Sequence, residues 1–140
     1  MNPQILALLA ALAWGVGGYF EKRGLNLGGL SPQMAVTLRT GMALVIITAA
    51  SLPNLKTLPH ASTKSLLMVI LGGGIISGSI GMLCYYAAIN GAPLSKVMPI
   101  AFTSPLFGAL MGIIFGAEPL TWKIALGSLL TISGIVVLTI

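Results

Sequence analysis

An all-α integral membrane protein with five transmembrane helices is the fold class this sequence predicts. Two observations carry the prediction. Of 140 residues, 56% are hydrophobic and 6% charged, about a quarter of the charge of an ordinary soluble domain. The mean hydropathy is +1.03. The apolar residues also run continuously rather than alternately, which excludes an amphipathic β-barrel. So much apolar surface leaves no room for a soluble domain beside the membrane part.

The segments follow in order, over about residues 2–20, 31–52, 65–90, 95–117 and 122–140. Each is near the length that crosses a hydrocarbon core as a helix. The first ends at Glu21-Lys22-Arg23. Its start lacks the positive region of a signal peptide, so it is expected to be a retained span. The second carries Arg39. The third is long, but two spans need about 40 residues, so it is one helix. The turn Asn90-Gly91-Ala92-Pro93 leads to the fourth. This span is uncharged from Val97 to Ala117 yet holds Pro99 and Pro105. Each internal proline removes a backbone hydrogen bond and bends the helix, and the freed carbonyl needs a partner inside the protein. Pro99 and Pro105 are therefore candidate hinges. The fifth holds Gly127, Ser128 and Gly134, small residues that let helices approach closely. They form a candidate dimer seam or pack within one chain. In the third, Gly74, Gly78, Gly81, Tyr85 and Ala88 recur at spacings of four, three, four and three, one face of an α-helix.

Charge and composition exclude several functions. The net charge of +5 comes from scattered basic residues, suited to headgroups and topology rather than nucleic acid. No cofactor or metal is implied. Cys84 is the single cysteine and His60 the single histidine, so no ligand cluster is available. There is no Ser/His/acid set, and Gly72-Gly73-Gly74 lies inside a span, where it cannot cradle a nucleotide. An enzyme is not expected.

Lys56, Lys64 and Lys123 fall on one side of the five spans; Lys22, Arg23 and Lys96 fall on the other, with Arg39 nearer the latter. The positive-inside rule needs a bias to fix orientation, and here there is almost none. Two outcomes stand: dual topology giving an antiparallel homodimer, or one orientation set by a weak bias.

Arg39 is the one charge well inside a predicted span. It points into a cavity toward an anionic group, or it snorkels to the interface. Trp14, Tyr19, Tyr85 and Tyr86 are candidate substrate contacts, with interfacial anchoring or packing as the alternative. Asn90 is either a substrate contact or a helix C-cap. Ser104, beside Pro105, either touches substrate or pairs with the backbone. Ser95 is a candidate cap for the fourth helix, and Lys96 a headgroup anchor. Glu21 and Glu118 are placed at span edges, so no carboxylate is expected inside an apolar core.

An ordered set of motifs carries a resemblance. It comprises Ala13-Trp14-Gly15 with Lys22, Pro32 with Arg39, and Tyr85-Tyr86-Ala87-Ala88 running into Ala92-Pro93-Leu94-Ser95-Lys96-Val97. Ser104-Pro105-Leu106, Gly116 to Trp122 and Gly127 to Gly134 complete it. The chain resembles a single EamA-type unit of the drug/metabolite transporter superfamily over nearly its whole length. The resemblance implies half of a ten-helix inverted-repeat transporter. It implies a secondary carrier of small polar or amphipathic metabolites in the cell (inner) membrane, working by alternating access as a homodimer or paralogous heterodimer. The alternative is a flippase or accessory subunit for a lipid-linked sugar or phosphate carrier; a non-transporting assembly protein is a third reading. The chain is also distantly similar to small multidrug resistance proteins. It departs from them at Leu12 to Val16, where their first helix carries a glutamate.

Overall fold

The computed structural model describes residues 2–115, 119 and 121–139. Gly116, Ala117, Glu118 and Leu120 lie outside the described residues, and with them the expected placement of Glu118 at a span edge. The chain divides into two units, residues 1–91 and 92–140, and each is described by itself.

In the first unit, α1 spans Pro3–Gly28 and α2 spans Pro32–Ser51. The same device starts both. Asn2 accepts from the Gln4 amide at 3.0 Å and Ser31 from the Met34 amide at 3.3 Å. A proline follows each cap, where a missing N–H is harmless. Gly29 ends α1 at φ +61°, a left-handed turn that glycine adopts without a Cβ penalty. α1 therefore runs well past Phe20, and Glu21 to Gly28 are helical rather than a connection. A 3₁₀ segment, Leu52–His60, continues from α2.

The third span opens as α3 (Thr63–Met68), capped by Ser62 on the Ser65 amide at 3.2 Å. It widens into a π-helix over Val69–Gly81 and returns to α as α4, Met82–Gly91. The expectation of one continuous span therefore holds in a changed winding. The Ser79 hydroxyl donates to the carbonyl of Gly74, five residues back, at 2.9 Å. The α spacing that grouped Gly74, Gly78 and Gly81 on one face does not apply across this wider turn. Asn90 lies within the last turn of α4 rather than capping it.

α2 packs on α4, and α1 packs on both. The buried apolar residues of this unit are Leu25, Val36, Tyr86 and Ile89. On α1 the inward positions are Gly18, Glu21, Lys22 and Leu25, one face at helical spacing. Most other large apolar side chains are exposed, as expected where lipid is the solvent.

In the second unit, α5 (Leu94–Ala101) and α6 (Ser104–Ile114) are the two halves of the fourth span, and α7 is Trp122–Thr139. α5 packs on α7. The break falls at Phe102-Thr103, just before Pro105. There the Ile100 carbonyl accepts from both the Thr103 hydroxyl at 2.7 Å and the Thr103 amide at 3.1 Å. Pro99 is accommodated inside α5. Pro93 stands at the N-cap with no side-chain bond, and Ser95 lies inside the helix. Thr121 caps α7 by accepting from the Ile124 amide at 3.3 Å. Gly127 and Gly134 are exposed on α7 and Ser128 is half-buried. Five helices among the described residues are long and apolar enough to span a membrane.

Candidate functional site

Polar chemistry in the first unit gathers where α1, α2 and α4 meet. Glu21 lies seven residues before the end of α1, and Arg39 seven beyond the start of α2. At 1.5 Å per residue both sit about 10 Å in from the turn that joins the helices. The Arg39 Nε donates to Glu21 Oε1 at 2.8 Å. The side chains keep 36% and 21% of their exposure, so the pair is only partly screened by surroundings. Arg39 does meet a carboxylate, but one supplied by the chain itself. Glu21 is inside its helix, not at the end.

α4 closes this cluster. The buried Tyr86 phenol hydrogen-bonds the Glu21 carboxylate. Its ring meets Tyr85 edge to face, with centroids 6.0 Å apart. Lys22 reaches across to α4 and donates its Nζ to the Ile89 carbonyl. That contact has a cause in the sequence. In an α-helix the carbonyl of residue 89 would accept from the amide of residue 93, which is Pro93 and has no N–H. Ile89 is fully buried, so an unpaired carbonyl there is costly. Lys22 supplies the missing donor.

Beside the cluster, α2 and the third span border an open groove of about 600 Å³. Gln33, Val36, Thr37, Thr40, Gly41 and Leu44 line it from α2; Gly78 and Ser79 line it from the π-helix, and Leu83 from α4. Thr37 donates to the Gln33 carbonyl at 2.9 Å, which leaves its oxygen as an acceptor toward the groove.

None of the sequence-derived candidates lines the groove. Arg39, Tyr85 and Tyr86 come together around Glu21. Tyr19 accepts from the Arg23 guanidinium at 3.0 Å and stacks edge to face on Phe20. Trp14 and Asn90 are exposed on α1 and α4, outside the groove lining. Ser104 belongs to the second unit, at the start of α6. Sequence reasoning missed Gln33, Thr37, Thr40 and Ser79. The signal was present: polar residues at 33, 37 and 40 interrupt an apolar run at helical spacing.

Residues 1–140 match the EamA-like transporter family. The chain belongs to that family. As an EamA-like protein of the drug/metabolite transporter superfamily, it is 32% identical over 141 residues to an uncharacterized protein of Methanocaldococcus jannaschii. That match covers 97% of this chain and 95% of the relative. It is 28% identical over 115 residues to an uncharacterized transporter of Archaeoglobus fulgidus, covering 81% of this chain and 40% of that longer protein. No solved structure matches. The EamA-like assignment agrees with the five apolar helices and with a membrane transporter rather than an enzyme.

Proposed function

We propose that this EamA-like chain is one half of a secondary transporter. It carries small polar or amphipathic metabolites across the cell membrane by alternating access, as an antiparallel dimer. The observation that carries the reading is the groove. Gln33, Thr37, Thr40 and Ser79 line it. The Thr37 and Ser79 hydroxyls give their protons to the Gln33 and Gly74 carbonyls, and the polar capacity that remains along the lining, which lipid cannot satisfy, supports a solute pathway or a protein partner. The family match supports transport, and the longer Archaeoglobus relative, of which this chain matches 40%, supports a working assembly larger than one unit. Near-balanced loop charge supports antiparallel pairing.

Reconstitution tests the proposal. The purified chain alone in liposomes should take up amino acids, amines or sugars from a mixed panel. Flux that requires an added second subunit would favour the accessory role for a lipid-linked carrier. Absence of flux under both conditions overturns the transporter reading.

A further inference from the structure

We infer that the groove between α2 and the π-helix binds an uncharged amphipathic solute bearing amide or hydroxyl groups. The inference rests on the transporter reading and specifies its substrate class.

The lining is the first argument. An amide, Gln33, and three hydroxyls, Thr37, Thr40 and Ser79, stand among Val36, Leu44 and Leu83. Among the described residues that line the groove, none is ionisable. A few polar groups set in an apolar wall is the usual make-up of a small-molecule site, and about 600 Å³ is within the usual range.

Charge pairing is the second argument. Arg39, adjacent in sequence to Thr40, is neutralised by Glu21 at 2.8 Å. Lys22 donates to the Ile89 carbonyl and Arg23 to the Tyr19 phenol. Glu21 in turn accepts from Tyr86. A solute with net charge would leave water for a membrane groove whose wall offers it no counter-ion, and such a transfer is strongly unfavourable. An uncharged solute loses only hydrogen bonds to water; Thr37 and Ser79, whose protons go to the Gln33 and Gly74 carbonyls, can accept from its amide or hydroxyl groups, and Gln33 and Thr40 can also donate.

Two of the lining positions are glycines. A Cβ at Gly41 would meet no atom within 4 Å, so that position is free space. At Gly78 a Cβ would lie 2.8 Å from the Gly73 carbonyl oxygen of the same helix, so the π backbone itself leaves no room for a side chain. Gly41 is thus the position where a larger residue fills the groove without a backbone clash.

The test uses three probes of one shape and different charge: N-acetylleucinamide, N-acetylleucine and leucinamide. At mildly acidic pH the first is uncharged, the second an anion and the third a cation. Binding to the purified full chain is read as a rise in Tm with concentration. N-acetylleucinamide should bind at least about tenfold more tightly than either charged probe. Gly41→Leu should abolish its binding. The double variant Thr37→Val, Thr40→Val, which keeps side-chain volume, should weaken it about tenfold and serves if Gly41→Leu does not fold. A charged probe binding as tightly as the neutral one overturns the substrate class and leaves transport standing. Neutral binding that survives both variants overturns the location. No shift with any probe overturns the solute site, and a changed oligomeric state in Gly41→Leu would then assign the groove to a second copy of the chain. Transport itself falls only if the liposome assay shows no flux.

Discussion

Glu21 and Arg39 stand nine residues either side of Leu30, and the α1–α2 hairpin closes them to an ion pair of 2.8 Å. Equal offsets from a turn bring residues of antiparallel helices to the same depth. The hairpin thereby places a cation and an anion inside the spans while keeping their sum at zero. Each partner makes the other tolerable in a low-dielectric setting.

Removing one partner should therefore be worse than removing both. Glu21→Gln or Arg39→Gln alone is expected to destabilise the protein by on the order of 2 kcal/mol, because an unpaired charge remains. The double variant should recover part of that loss. A thermal-unfolding double-mutant cycle measures the coupling. Additive losses would mean that the two groups do not interact in the folded protein.

Lys22→Met should destabilise by about 1–3 kcal/mol, the usual consequence of leaving a buried acceptor unpaired. Lys22→Arg, which keeps a long donor, should retain most of the stability. Thermal unfolding of both variants reads the difference. Equal behaviour of Met and Arg at this position would remove the Ile89 carbonyl as its target.

Neighbouring glycines of the third span should respond in opposite ways. Gly78→Ala drives a methyl into the Gly73 carbonyl oxygen, whereas Gly72→Ala and Gly74→Ala meet nothing within 4 Å. Gly78→Ala should lower Tm. The other two should raise stability by up to about 1 kcal/mol, since alanine loses less backbone freedom in a helix than glycine. A neutral Gly78→Ala would argue against the wide winding over Val69–Gly81.

A reporter fused after Ile140 should be found on both sides of the membrane. Near-balanced loop charge gives the chain little reason to prefer one orientation. A reporter confined to one side rules out the antiparallel homodimer.

Much of the fold was legible because lipid imposes one rule on every span. Continuous apolar runs gave the five segments, and Asn2-Pro3 and Ser31-Pro32 mark where α1 and α2 begin. The end of α1 was less legible. Glu21, Lys22 and Arg23 read as a membrane edge, but their charges are met by Arg39, Ile89 and Tyr19, and the helix continues beneath them. The π winding was hidden because glycine-rich sequence fits several helical registers. Its markers, a Ser79 bond to Gly74 and the space denied at Gly78, exist only in three dimensions. The depth of Arg39 is legible in the sequence; its partner is not, because hydropathy places each residue against the membrane and not against the facing helix of the hairpin. The groove was missed for a related reason: threonines in an apolar run pass for ordinary helix packing until the surface opposite them is seen to be open.

The contact between Lys22 and the Ile89 carbonyl ties two distant positions into one inheritance. Pro93 creates a want of a proton at the end of α4, and a side chain on α1 meets it. Relatives that keep a proline at 93 are expected to keep a long hydrogen-bond donor at 22. Those that place any other residue at 93 regain the amide, and position 22 is then free to drift.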